Sequence, residues 1–313
     1  MGYLSEWLLR CNVAEFPAIR NGLKPHASEL ERKLWETLRD PRSSTLARFN
    51  AGMTLSAYVP DDRGWTEQEL QFLAVRLVTS NPDDQRELRS YLEPIKSRLL
   101  EPLQAIFLDE ARPDIVRVAA TTALVEFARD DTRRLAQLAS EATPLQLNVL
   151  FPAIDKSERR DEAIQRLHLL TRASIAPGTP ESLRVRIGRS RAGASVTLLR
   201  LGKPETIFPV FHPGEDPEPL TQFAYAAQNG AVSPRNLLDC LRLATEDQER
   251  FGLLLALGEF APADVPDLEK REIIQTALEW YSKHPRSMIH GASGWLLRTW
   301  GFRDEVERAD QTA

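Results

Sequence analysis

The chain has 313 residues, 42% of them hydrophobic and 27% charged, with a formal net charge of −5 from 45 Asp and Glu against 40 Lys and Arg. That is ample apolar material for a continuous core, and the longest apolar run, residues 251–260, is too short to cross a bilayer. Two cysteines, Cys11 and Cys240, lie far apart among aliphatic neighbours and read as reduced core residues of a cytoplasmic protein rather than a disulfide or a redox pair.

The chain opens inside a helical pattern, Leu4, Leu8 and Leu9 followed by Phe16, Ile19 and Leu23. Met1-Gly2 invites a check for N-myristoylation, but Glu6 stands where Ser or Thr is needed. No basic segment precedes the first apolar residues, so a secretory leader is not expected either. An opening without a cap or partner helix suggests a segment of a longer polypeptide.

From residue 19 onward the sequence matches itself at one fixed offset. Asp40, Arg48, Ala51, Leu55, Tyr58, Asp61 and Asp62 return 69 positions later as Asp109, Arg117, Ala120, Leu124, Phe127, Asp130 and Asp131. Upstream, Ile19, Leu23, Pro25, Leu30, Leu34 and Leu38 return as Leu88, Leu92, Pro94, Leu99, Leu103 and Phe107. Within each copy the spacings of +3, +7 and +10 after the Arg average about 3.5 residues and place all four side chains on one stripe of a helix. Later copies run Arg191, Ala194, Leu198, Leu201, then Arg250, Leu253, Leu257, Phe260, and finally His290, Ser293, Leu297, Trp300. A second helix type alternates with these, at Ile19-Leu23, Leu88-Leu92 and Leu147-Phe151, giving a helix pair about every 30 to 40 residues.

Helix starts are predicted at Asn81-Pro82, Thr143-Pro144, Thr179-Pro180 and Ser233-Pro234, where a capping side chain precedes a proline that the first turn tolerates. Thr66-x-x-Glu69 and Thr143-x-x-Gln146 fit capping boxes. The rhythm breaks at residues 174–179 and, more strongly, at 212–219 with its three prolines. The expected organisation is therefore a repeat array over 1–211, a Pro-rich break at 212–219, a further array over 220–303 and a polar tail at 304–313.

Asp40 and Arg48, like Asp109 and Arg117, recur together, and recurrence suits a scaffold role better than an anion site. Asp40 would close the turn between paired helices, with Arg48 binding it or the turn of the next repeat. This grammar of an Asp turn followed by Arg-x-x-Ala-x-x-x-Leu resembles HEAT repeats, most closely over residues 109–120, Asp-Glu-Ala-Arg-Pro-Asp-Ile-Val-Arg-Val-Ala-Ala. The resemblance covers nearly the whole chain, although the third to fifth copies lack the Asp. It implies an all-α protein, an α-α superhelix or solenoid of HEAT-like helical hairpins.

A narrower resemblance rests on residues 254–260, Leu-Leu-Ala-Leu-Gly-Glu-Phe, on 290–301, His-Gly-Ala-Ser-Gly-Trp-Leu-Leu-Arg-Thr-Trp-Gly, and on Leu92-Glu93-Pro94-Ile95. These stretches are similar to the HEAT-like segment of large bacterial proteins that combine a serine/threonine protein kinase domain with a formylglycine-generating-enzyme-like (sulfatase-modifying-factor) domain. The resemblance implies a linker scaffold whose enzymatic neighbours lie outside this sequence, since no Gly-rich phosphate loop, His-Arg-Asp or Asp-Phe-Gly occurs here.

Motifs for other chemistry are missing: there is no Cys-x-x-Cys, His-Glu-x-x-His, Gly-x-Ser-x-Gly or Gly-x-Gly-x-x-Gly, and the five histidines are not at metal-ligand spacing. The pairs Asp61-Asp62, Asp83-Asp84 and Asp130-Asp131 sit at predicted helix ends. Trp280, Trp295 and Trp300 are expected to seal the core of the last repeat rather than to form a ligand platform. Charge is uneven, with eleven Lys and Arg against six Asp and Glu over residues 151–210. Arg184, Arg186, Arg189 and Arg191 mark a basic face open to an acidic peptide or to nucleic acid, for which HEAT-like DNA glycosylases are the enzymatic precedent. The expectation is a monomeric, non-enzymatic protein-protein interaction scaffold or spacer without cofactor, metal or membrane, its partner a protein or the flanking domains. The alternatives are a nucleic-acid-binding or glycosylase-type protein and a regulatory module of an attached kinase.

Overall fold

The computed structural model describes residues 2–176, 178–211, 218–229 and 232–312, and among them every regular element is helical. They fall into two compact units, Met1–Asp130 and Asp131–Ala313. The proline-rich break at 212–219 lies, as far as residue 217, outside the described residues.

The first unit contains α1 (Gly2–Leu8), α2 (Phe16–Leu23), α3 (Ala27–Arg39), α4 (Thr45–Tyr58), α5 (Glu67–Thr79), α6 (Gln85–Leu92), α7 (Lys96–Leu108) and α8 (Asp114–Phe127). Helices α2, α3 and α4 begin and end 69 residues before α6, α7 and α8, and the 3-10 turns Lys24–His26 and Glu93–Ile95 keep the same offset. The internal match in sequence is thus a match in element bounds. Its cause is shared punctuation. Pro25 and Pro94 open the two 3-10 turns, and Asp40 and Asp109 follow the last residue of α3 and α7 in extended backbone. The oxygen Oδ1 of each Asp accepts from a backbone N–H two residues on, that of Arg42 at 3.0 Å and that of Ala111 at 3.1 Å. Such a turn ends a helix because the short carboxylate competes for N–H groups that the helix would otherwise use.

Packing follows the same pairing: α3 lies on α4, α7 on α8, and α5 against both α7 and α8. The core is built from fully buried Leu55, Leu73, Leu92, Leu99, Leu103, Phe107 and Leu124. Trp35 and Trp65 meet edge to face at 4.8 Å, and the indole N–H of Trp65 donates to the Val59 carbonyl at 3.0 Å. The capping box expected at Thr66 and Glu69 forms, the backbone N–H of Thr66 donating to Glu69 Oε2 at 3.0 Å.

The second unit contains α9 (Thr132–Glu141), α10 (Pro144–Asp155), α11 (Arg160–Thr171), α12 (Glu181–Arg200), α13 (Glu218–Asn229), α14 (Pro234–Leu243), α15 (Asp247–Gly258), α16 (Asp267–Lys283), α17 (Ser287–Thr299) and α18 (Arg303–Thr312). Helix α12 is the hub, packing on α9, α11 and α13. It approaches α9 closely because Gly193 has no side chain: a Cβ there would lie 2.2 Å from the Ser140 carbonyl oxygen. Beyond it, α13 and α14 pack on α15, α15 on α17, and α16 on α17.

Two of the four proline-based helix starts hold, at Thr143-Pro144 and Ser233-Pro234, both with capping boxes. The other two differ. At Asn81-Pro82 the Asn side chain accepts from the Asp83 N–H at 3.2 Å, so the pair makes a turn and α6 starts only at Gln85. At Thr179-Pro180 the Thr hydroxyl bonds back to the Ala176 carbonyl, and Pro180 itself is the capping residue of α12. The polar stretch after residue 303 forms α18, a helix whose pattern is too polar for periodicity to announce.

Candidate functional site

In all five copies of the sequence stripe the second and third positions are buried to 0%: Ala51, Ala120, Ala194, Leu253 and Ser293, then Leu55, Leu124, Leu198, Leu257 and Leu297. The fourth position is buried in four copies, at Phe127, Leu201, Phe260 and Trp300. The first position does something the sequence left open. Arg48 Nε donates to the Leu38 carbonyl at 2.9 Å and Arg117 Nε to the Phe107 carbonyl at 3.2 Å. Arg191 Nε donates to the Thr171 carbonyl at 3.0 Å and Arg250 Nη2 to the Ala244 carbonyl at 3.3 Å. In the last copy His290 Nδ1 lies 2.5 Å from the Tyr281 carbonyl.

Each of these carbonyls belongs to the C-terminal end of the preceding helix, whose last C=O groups have no partner of their own and carry the negative end of the helix dipole. An antiparallel partner brings its own first turns beside that end. Arg48, Arg117, Arg250 and His290 are each the fourth residue of their helix, so one position serves in four hairpins. Arg191 is the exception, because α12 carries two extra turns before the repeat begins. The recurrence in sequence predicts that Arg48 binds Asp40 or the turn of the next repeat. Instead its fork is aimed at the helix end, while Asp40 pairs with Arg42 at 3.1 Å, and the hydrogen bonds from Arg42 hold the Asp40 carboxyl below the usual carboxylate range.

Arg117 is 8% exposed, and replacing it by methionine removes the charged hydrogen bond that it donates to the Phe107 carbonyl. The expected loss is about 1–3 kcal/mol of unfolding free energy. Arg32→Met serves as control; with its side chain 91% exposed, it is expected to stay within about 0.5 kcal/mol of wild type. Equal denaturation midpoints for the two variants would remove the capping role.

The four arginines of α12 divide between faces. Arg184 and Arg191 are seven residues apart and share one half-buried face, whereas Arg186 and Arg189 are exposed on another. Arg191 is committed to the carbonyls of Thr171 and Pro209, the latter at 3.0 Å. Arg186 faces Glu141 at 3.4 Å. Other cations of the basic stretch also work inside the unit. Arg160 pairs with Asp155 at 3.1 Å and donates to the Leu201 carbonyl at the end of α12, so α11 and α12 cap one another. Arg166 donates to Gln137, and Arg200 donates to Asn148 while lying 4.3 Å above the Phe151 ring. Much of the positive charge concentrated in sequence is therefore spent on helix ends and helix contacts.

Other candidates settle as structure. Cys11 and Cys240 are buried free thiols. Burial pushes the Cys240 thiol up to about 12 and raises that of Cys11 as well, so neither is an activated nucleophile. Trp300 is buried and donates to the Phe260 carbonyl at 3.1 Å, linking two successive copies of the stripe. Trp295 lies over Gly258 but is 36% exposed, and Trp280 is half-buried under the Arg250 guanidinium at 5.6 Å, so of the three tryptophans expected to seal the last core only Trp300 is buried in it. Asp131 caps α9 by accepting from the Arg134 N–H at 3.0 Å. Comparison of the chain with protein families and with curated proteins gives no match. No described helix is long and apolar enough to cross a membrane.

Proposed function

We propose that the chain is a HEAT-like array of helical hairpins, an α-solenoid, that acts as a non-catalytic protein-protein interaction scaffold or spacer. In the setting implied by its resemblance, it would separate a kinase domain from a formylglycine-generating-enzyme-like domain in a longer cytoplasmic polypeptide. The observation that supports this reading is the fate of the repeated residues. The second and third positions of the stripe are buried and its first residue contacts the end of the preceding helix in every copy. Residues repeated for that purpose build a surface of variable composition on top of a constant frame, which is how helical arrays present binding faces.

The test is cross-linking of the tagged chain in cells, followed by reconstitution with the purified partner at two ionic strengths. A complex that buries apolar surface along the helices is expected to survive moderate salt. Duplex DNA is expected to bind weakly and to be lost steeply as salt rises, because only counterion release would drive it. Tight, sequence-selective DNA binding that persists in salt and is abolished by Arg186→Glu and Arg189→Glu would replace the scaffold reading with the nucleic-acid one.

A further inference from the structure

The last described helix is an appendage to a finished fold. Helix α17 ends in a closed motif: Gly301 adopts φ +89°, its N–H donates to the Arg298 carbonyl, and the Phe302 N–H donates to the Leu297 carbonyl at 2.8 Å. This satisfies the end of α17 without help from α18. Helix α18 then lies on α16 and α17. Among its described residues only Val306 is buried, and a ten-residue helix of such polarity has little stability of its own.

Beneath its far end is a site that α16 and α17 hold ready. Tyr281 is 5% exposed, with its ring stacked on His290 at 4.1 Å. Gly294 leaves the space the ring occupies, since a Cβ there would lie 2.6 Å from Tyr281 Cε2. The Tyr281 hydroxyl donates to Asp310 Oδ1 at 2.5 Å and accepts from Arg298 Nη2 at 3.4 Å. The Tyr281 hydroxyl, set between α16 and α17 by the His290 ring and the Arg298 guanidinium, offers one hydrogen bond to a carboxylate, and Asp310 takes it four residues after the buried Val306.

We propose that α18 is a displaceable strap, occupying in cis a site on α16 and α17 that takes an acidic amphipathic helix of a partner. The recognised feature is an aliphatic residue followed four positions later by a carboxylate. Displacement swings α18 about the Gly301-Phe302 joint, and the hydrogen bond of the Tyr281 hydroxyl passes from Asp310 to the incoming acid. The proposal does not depend on the scaffold reading, because the assay reads the site itself.

The experiment uses the full chain and a labelled peptide carrying residues 303–313. In wild type, the amides of α18 are expected to exchange with deuterium at least tenfold faster than those of α17. The peptide is expected to bind the Val306→Asp chain at least tenfold more tightly than wild type. The exposed change Asp310→Asn, which leaves the core intact, is expected to act in the same direction. Adding Tyr281→Phe to either variant should return peptide binding to the wild-type level. Equal protection of α18 and α17, or peptide binding indifferent to Tyr281→Phe, overturns the proposal.

Discussion

Leu124→Ala is expected to destabilise the folded chain by about 2–5 kcal/mol, the range for large-to-small changes in a core that only partly collapses around the void. Leu124 is 0% exposed on α8, a helix against which both α5 and α7 pack. Leu55, 69 positions earlier and equally buried, should behave alike because the element bounds around it are the same. Glu67 provides the control: it is exposed in the first turn of α5, and its replacement loses only a favourable dipole contact of about 0.3–1 kcal/mol. Denaturant melts of Leu124→Ala and Glu67→Ala decide the matter. Coincident midpoints would mean that the stripe is not the core of these hairpins.

A single added methyl group should have opposite effects at two glycines of the second unit. At Gly193 the new Cβ would fall 2.2 Å from the Ser140 carbonyl oxygen and 2.9 Å from its carbonyl carbon. Those are backbone atoms of α9, so no side chain can rotate away and the two helices must separate. Gly193→Ala is expected to cost about 1–3 kcal/mol or more, as overpacking does, and to disturb the hydroxyl contact between Ser140 and Ser190 at 2.9 Å. At Gly291, inside α17, nothing lies within 4 Å of the added atom. Gly291→Ala is therefore expected to stabilise by about 0.5–1 kcal/mol, through the better helix propensity of alanine. Thermal unfolding of the two variants gives the comparison, and stabilisation by Gly193→Ala would show that α9 and α12 do not meet as closely as described.

The repeat stripe was legible because burial on a helix imposes a period, and the period survives in the types of residue. Ala51 and Leu55, or Ala120 and Leu124, announce both their helix and its inner face. The 69-residue offset was legible for the same reason, carried by paired prolines and aspartates that stop helices by local chemistry. Capping boxes at Thr66 and Thr143 close over three or four residues and can be read without a fold, whereas the one at Ser233 uses Asn236 in place of Glu or Gln and shows only in the structure. Asn81-Pro82 and Thr179-Pro180 carry the same local signal, yet neither Asn81 nor Thr179 caps a helix. A side chain that can cap a helix can equally close a turn, and the packing of the neighbouring elements decides which.

The candidate site was less legible, since the partner of each repeated arginine is a backbone carbonyl, and a carbonyl has no signature in sequence. The repeat marks Arg191 and not Arg186, but it does not say what either side chain binds. One is locked to the ends of neighbouring elements at Thr171 and Pro209, while the other stands exposed beside Glu141. The cluster of four arginines was one object along the chain and two objects on the helix, because α12 turns about 100° per residue and separates neighbours in sequence. Helix α18 marks the same boundary. Its polarity was plain in the sequence, but that Val306 and Asp310 seat it on Tyr281 is a long-range contact. Sequence by itself thus determined what is local and periodic: helices, their inner faces, and many of their ends. Tertiary structure alone decided where each charged group finds its partner, since pairing free energy depends on distance and burial, which come into being only when the helices pack.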